Sequence, residues 1–231
     1  MCRISTTMEV KDRIQTKARE LFTRYGIRTV TMDEIANQLG ISKKTIYQYY
    51  TDKDALVEAV IGELISVSEQ LCRVQAGSAR DAIDEVFFVM EEVERSFLGM
   101  NPSFFYDLER FHFKAYQQFQ EYKENVIGRM VRNNLRRGIE EGNYRPDIDI
   151  EVLTRYRMAG ISLIFNQTLF PDSTFNLVRL QLAIVENFLY GLVTEKGYRQ
   201  IQQYKAERNK HTQHETTQQA QQQEFCAGNE E

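Results

Sequence analysis

Proline is nearly missing from this chain of 231 residues, which holds three, and no long stretch alternates apolar and polar residues in the manner of strands. Those two shortages leave helical periodicity and predict an all-α protein. Cysteine is as scarce. Cys2, Cys72 and Cys226 are an odd number set far apart, with neither the close pairing of a metal knuckle nor the density of a disulfide scaffold, so they read as reduced thiols and no metal is expected. Long apolar runs are also lacking. Nothing approaches the roughly 18 consecutive apolar residues of a membrane span, and the opening MCRISTTMEV has no apolar segment of a secretory leader, which predicts a cytoplasmic protein without a membrane partner. What remains, 42% hydrophobic and 27% charged residues, is the composition of a folded chain with a sizeable interior.

The net charge of −4 would by itself argue against nucleic acid, but it is unevenly spread. Residues 1–50 carry nine lysines and arginines against five acids, a net of +4, and the remainder carries −8. A small basic head precedes an acidic body.

Apolar spacing and capping signals divide the head into short helices. Ile14, Ala18, Leu21, Phe22 and Tyr25 share one face of a first helix, with Thr6 and Glu9 as a capping box and Gly26 as its end. Thr31 caps a second helix with Glu34 three residues on; Val30 and Ile35 form a hydrophobic staple, and Met32, Ile35, Ala36 and Leu39 its buried stripe up to Gly40. Ser42 caps a very short third helix, stapled by Ile41 and Ile46, and Thr51 or Asp52 opens a long fourth through Leu56, Val60, Leu64 and Val67.

Chemistry concentrates in residues 40–56, GISKKTIYQYYTDKDAL. At about 100° per residue, Lys43, Lys44, Tyr47 and Gln48 share one face of the third helix while Ile46 and Tyr49 turn to the core. The outward face suits duplex DNA: ammonium groups neutralise phosphates, Tyr47 offers a ring or a hydroxyl, and the Gln48 amide matches an adenine edge. Two helices joined by a tight glycine turn make a helix-turn-helix. The competing reading, a solvated lysine face over core tyrosines, is weakened by the two capping motifs, the Gly40 turn and the basic head occurring together.

Here the sequence resembles a known family. Residues 9–60 are similar to the DNA-binding region of the tetracycline-repressor (TetR/AcrR) regulators: Tyr25-Gly26, Thr31 with Ile35-Ala36, Gly40-Ile41-Ser42-Lys43-Lys44-Thr45-Ile46-Tyr47-Gln48-Tyr49-Tyr50, then Lys53 to Leu56. The resemblance implies that Thr31 touches a phosphate, that Ser42, Lys43, Lys44, Thr45, Tyr47 and Gln48 face the groove, and that Tyr49 and Lys53 hold the DNA backbone. Lys44 stands where the family often has glycine, so family operator preferences do not transfer. The resemblance further implies a ligand-responsive regulator, a repressor released from a palindromic operator by a small molecule, with the last two body helices usually forming a dimer.

The expected organisation is a head over residues 1–52, a helical ligand-binding and dimerisation body over 53–197 that includes the connecting helix, and a Gln-rich disordered tail over 198–231. In the body, Ala82, Val86, Met90, Val93 and Phe97 form one stripe before a break at Gly99–Pro102. Leu108, His112, Ala115, Phe119, Tyr122 and Val126 run along one long helix reaching Ile139. Two strongly apolar helices follow, about 150–169 and 175–193, and Met158, Ile161, Phe165, Ile184, Phe188 and Leu192 are the expected homodimer contacts.

Phe104, Phe105, Phe111, Tyr116 and Phe119, with His112 and Asn166 as polar contacts, are candidate walls of an effector site, although aromatic residues at helical spacing form core more often than pocket. The acidic body favours a cationic or neutral effector. Enzyme readings find no support: no phosphate loop, nucleophile elbow or catalytic carboxylate pair is present, and His211 and His214 lack a third metal ligand. No cofactor is expected. The alternative from another class is an architectural dimeric DNA-binding protein without an effector.

Overall fold

The computed structural model describes residues 9–208 apart from 172 and 173, and within these it is helical. In chain order the helices are α1 (Val10–Tyr25), α2 (Met32–Leu39), α3 (Lys43–Tyr47), α4 (Lys53–Ser78), α5 (Ala82–Phe97), α6 (Ser103–Phe111), α7 (Phe113–Tyr122), α8 (Gly128–Glu140), α9 (Ile150–Leu163) and α10 (Leu177–Leu192). Residues 195–208 form α11.

The head follows the capping pattern. Thr31 Oγ1 accepts from the Glu34 N–H at 3.1 Å, Val30 and Ile35 are buried as the staple requires, and Gly40 takes the left-handed conformation, φ +65°, that ends α2. Ser42 Oγ accepts from the Thr45 N–H at 3.1 Å, and of the two candidates for the cap of α4, Asp52 is the one whose carboxylate takes the Ala55 N–H, at 2.8 Å. The expected Thr6 end of α1 lies outside the described residues, and Glu9 makes no side-chain cap. Ile14, Ala18, Leu21 and Phe22 are buried, whereas Tyr25 is exposed beneath the Arg24 guanidinium.

Two apolar cores hold the molecule. The first joins Ile14, Phe22, Ile35 and Ile46 of the head to Leu56, Val57 and Val60 of α4 and to Phe104, Leu108 and Ala115 of α6 and α7. The element boundary at residue 52 is therefore crossed by packing, because α6 and the start of α4 complete a head too small to bury its own interior. The second core gathers Ile83 and Phe87 of α5, Leu135 of α8, Tyr144, Phe188, Leu189 and Leu192 of α10, and Ile201 and Tyr204 of α11.

Three expectations for the body are corrected. The single helix through His112 to Ile139 is broken: His112 adopts φ −128°, ψ 65° between α6 and α7, and a π turn at Lys123–Ile127 joins α7 to α8. The break falls where the imidazole turns to meet Asp54 of α4, Nδ1 to Oδ1 2.6 Å. The helix expected to reach residue 169 ends at Leu163, and the Asn166 carboxamide accepts the backbone N–H groups of Thr168 and Leu169 in the turn beyond. The tail expected from residue 198 instead continues as α11 to residue 208, the rest lying outside the described residues. Ile201 and Tyr204, one turn apart, are enough to seat it, with Tyr204 donating to Asp81 at 2.6 Å and Arg208 pairing with Glu91 at 2.7 Å.

Candidate nucleic-acid interface

The α2–α3 pair is built as a helix-turn-helix. The Ile41 N–H bonds back to Ala36 O at 3.0 Å, Gly40 supplies the positive φ, and the fully buried Ile46 pins α3 to the head core. With one face so anchored, Ser42, Lys43, Lys44, Tyr47 and Gln48 are left exposed around α3, and Thr31 is exposed at the start of α2. Thr45 is half-buried, with its hydroxyl 2.8 Å from Ser42 Oγ.

The two lysines differ. Lys43 Nζ donates to Asp33 Oδ2 at 2.7 Å, and that bond raises its pKa, so a phosphate must compete with a carboxylate already in place. Lys44 is exposed and makes no salt bridge among the described residues.

Two further residues depart from the sequence reading. Tyr49, read from the helical wheel as core-facing, is exposed, and Tyr50 takes the buried place, its hydroxyl donating to Gln15 Oε1 at 2.9 Å. The wheel fails because α3 ends at Tyr47 and tightens into turns, with Gln48 N–H on Thr45 O and Tyr49 N–H on Ile46 O. Lys53, expected to hold the DNA backbone, turns inward: Nζ donates to Ile27 O and Val30 O, each at 2.6 Å, and lies over the Phe22 ring. Burial lowers its pKa against the opposing pull of Asp107 and Asp54. It clasps the α1–α2 loop to α4.

Residues 14–60 match the family model of bacterial regulatory proteins, tetR family. A Bacillus subtilis relative, the HTH-type transcriptional regulator YvaF, is 26% identical over 125 residues, covering 53% of this chain and 66% of its own length. The HTH-type transcriptional repressor KstR2 of Mycobacterium tuberculosis is 26% identical over 157 residues, 60% of this chain and 71% of that protein.

The head of this chain, residues 14–60, is a TetR-family DNA-binding domain. The chain is a DNA-binding regulator of transcription. Its fold is shared with the regulator FadR from Bacillus subtilis in complex with stearoyl-CoA, at a TM-score of 0.58 and 17% identity over 78% of this chain and 97% of that one.

Around the TetR-family head, the candidate effector residues divide. Phe104 is fully buried in the head core, and Phe111 is exposed beneath the Arg28 guanidinium. His112 is spoken for by Asp54, and Tyr116 donates to Glu109 at 3.0 Å. Phe105 and Phe119 lie together, centroids 5.1 Å apart, and Phe105 stacks on Phe165 at 3.9 Å, with Phe97 6.1 Å from both Phe105 and Phe165. The fold thus brings Phe105 and Phe119 into one aromatic cluster and assigns Phe104 and Phe111 to the head contact.

That contact has members the sequence did not signal, because each depends on partners distant in the chain. Asp107 Oδ2 accepts the Arg28 N–H at 2.8 Å, and Asn101 N–H donates to Thr23 O at 2.7 Å. Gly26, at φ +85°, ψ 150°, lies so close to α6 that a Cβ would collide with Ser103 Oγ.

The family's dimerisation helices also needed the fold to be read. Met158, Phe188 and Leu192, expected at a partner surface, are buried in their own chain, and Ile161, Phe165 and Ile184 are half-buried. The exposed stripe of α9 is Val152, Tyr156, Ala159 and Leu163, and Ala183 and Gly191 of α10 are exposed as well. No described helix is long and apolar enough to cross a membrane, and among the described residues no cluster of His, Cys, Asp and Glu could hold a metal. The His211 and His214 pair lies outside the described residues.

Proposed function

We propose that this chain is a cytoplasmic repressor that binds a palindromic operator as a homodimer and releases it when a small molecule enters the body. The observation that carries the reading is the α3 face: a capped helix, anchored by Ile46, that presents Lys44, Tyr47 and Gln48 to solvent. In this reading Thr31, Ser42, Lys43, Thr45 and Tyr49 position the head on the duplex, and Lys53 acts indirectly by fixing the start of α4. Residues 1–52 form the reading head and residues 53–197, with α11, the sensing and dimerising body.

The proposed coupling runs through two contacts. α6 holds the α1–α2 loop by Asp107 and Arg28, and the α6–α7 break holds the start of α4 by His112 and Asp54. A ligand that moves α6 or α7 therefore moves the head. Two recognition helices displaced from the roughly 34 Å spacing of successive major grooves cannot both stay seated. Binding of ligand by a TetR-family fold is what the stearoyl-CoA complex of FadR illustrates, and the KstR2 relative is a repressor.

Selection from random duplexes by the full chain identifies the operator, and Gln48→Ala then distinguishes reading from positioning: a loss on the selected site of about 1 to 3 kcal/mol per base contact, and much less on random DNA, supports base readout. Ligand displacement on the operator-bound protein follows. Release by a small molecule, with operator and ligand weakening each other by the same factor, supports the repressor. An architectural protein would stay bound throughout.

A further inference from the structure

Arg157 is a charge that the fold buries without an answering charge among the described residues. It lies in the middle of α9 with 7% of its surface exposed, and its Nη1 has no hydrogen-bond partner among the described residues. No described acid offsets the effect of burial, which alone pulls its pKa down. Keeping an unpaired guanidinium in such a place is costly to folding.

A second buried polar atom without a partner among the described residues, Gln181 Oε1, lies on α10. The helices run antiparallel, since Tyr156 meets Phe188 and Gly160 meets Ile184. Arg157 Nη1 is beside Gly160, and Gln181 is one turn ahead of Ile184, so guanidinium and amide flank the same stretch of the seam. Lys123, in the π turn, adds a second buried cation whose Nζ donates to Ser162 of α9 at 2.8 Å.

We propose that Arg157, with Gln181, is the anion-binding point of the effector site and takes the carboxylate or phosphate head of an amphiphilic small molecule. The guanidinium offers a planar pair of donors to such a head, and the Gln181 carboxamide, turned about its last torsion, presents N–H. The apolar part of the ligand lies along α9 toward Phe165 and Phe105, which begin about eight residues, roughly 12 Å, further on. The local field is thus opposite to the one the acidic composition of the body suggests. This assignment rests on the reading of the body as an effector domain.

Thermal unfolding and calorimetry on the full chain, using decanoate, decyl phosphate, decanol and decyltrimethylammonium, separate the head group from a common alkyl chain. The two anions are expected to raise the midpoint and the alcohol and the cation to leave it. Arg157→Met keeps the volume without the charge: decanoate binding is expected to weaken about tenfold or more, while the ligand-free midpoint holds or rises. Gln181→Met carries the same test if that variant does not fold, again weakening decanoate. Equal stabilisation by acid and alcohol, or undiminished decanoate binding by these variants, overturns the assignment. So does a monomeric Arg157→Met beside a dimeric wild type, which would give the charge to a carboxylate of a second copy. Decanoate that binds yet leaves the operator occupied keeps the anion site and rejects the effector reading. Release by the alcohol or the cation, with Arg157→Met responding as wild type, does the reverse.

Discussion

Lysines with the same formal charge have different work in this molecule, and the hydrogen bonds each makes separate them. Lys44 is exposed on the α3 face, whereas Lys53 satisfies the carbonyls of Ile27 and Val30. Lys44→Ala is expected to reduce the salt slope of log affinity by about one for each phosphate it no longer neutralises, and by about two in a symmetric dimer, with the melting temperature unchanged. Lys53→Met should do the opposite, leaving the slope and lowering stability by about 1 to 3 kcal/mol, since two buried carbonyls lose their donor. Salt titrations and urea unfolding on both variants check the pair; a Lys53→Met slope that falls as far as that of Lys44→Ala would return Lys53 to the DNA backbone.

Among the elements, the turn after α1 and the junction of α4 with α7 are the most exposed to single changes. Gly26 has a backbone conformation nearly restricted to glycine, and α6 crowds it as well. Gly26→Ala is therefore expected to cost about 1 to 3 kcal/mol in backbone strain alone, read by urea unfolding. At the α4–α7 junction the Tyr122 hydroxyl is 2.7 Å from Ser68 Oγ, and burial pushes its pKa up to about 12. An acid whose folded pKa lies above its unfolded value contributes stability below the unfolded pKa of about 10, and that contribution is lost as pH rises toward the folded one. Stability should thus fall between pH 10 and 12 through Tyr122, at up to about 1.4 kcal/mol per pH unit, and buried Tyr144 and Tyr204 act in the same direction. Tyr122→Phe should lose its own share of that slope, measured as the difference in urea midpoints between pH 9 and 11; a slope identical to wild type would contradict the assignment.

At the scale of the whole molecule, the apolar residues left exposed on α9 are the surface for a second copy in the proposed homodimer. Val152, Tyr156 and Leu163 are exposed in one stripe, while Phe188 packs against the second core. Tyr156→Glu is accordingly expected to give a folded monomer with weakened operator binding, and Phe188→Glu an unfolded or aggregated chain. Sedimentation with circular dichroism distinguishes them. A dimeric Tyr156→Glu would move the interface off this stripe.

Local signals in the sequence determined what depends on neighbours within a turn or two: the Thr31 and Ser42 caps, the Val30 and Ile35 staple, the Gly40 turn, and the burial of Ile46 that leaves Lys43 and Lys44 outside. From these the helix-turn-helix and the family follow, because caps and staples are fixed by spacing alone. Tertiary structure decided the rest. It put Tyr50 rather than Tyr49 in the core, because a five-residue helix runs out before the wheel does, and it turned Lys53 inward to carbonyls 23 and 26 residues away. It broke the middle helix at His112 to reach Asp54, extended α11 on two buried residues, and chose which face of α9 and α10 looks inward. A helical wheel gives the angle between residues on one helix, but which angle faces the core depends on where the other helices lie, and only long-range packing sets that.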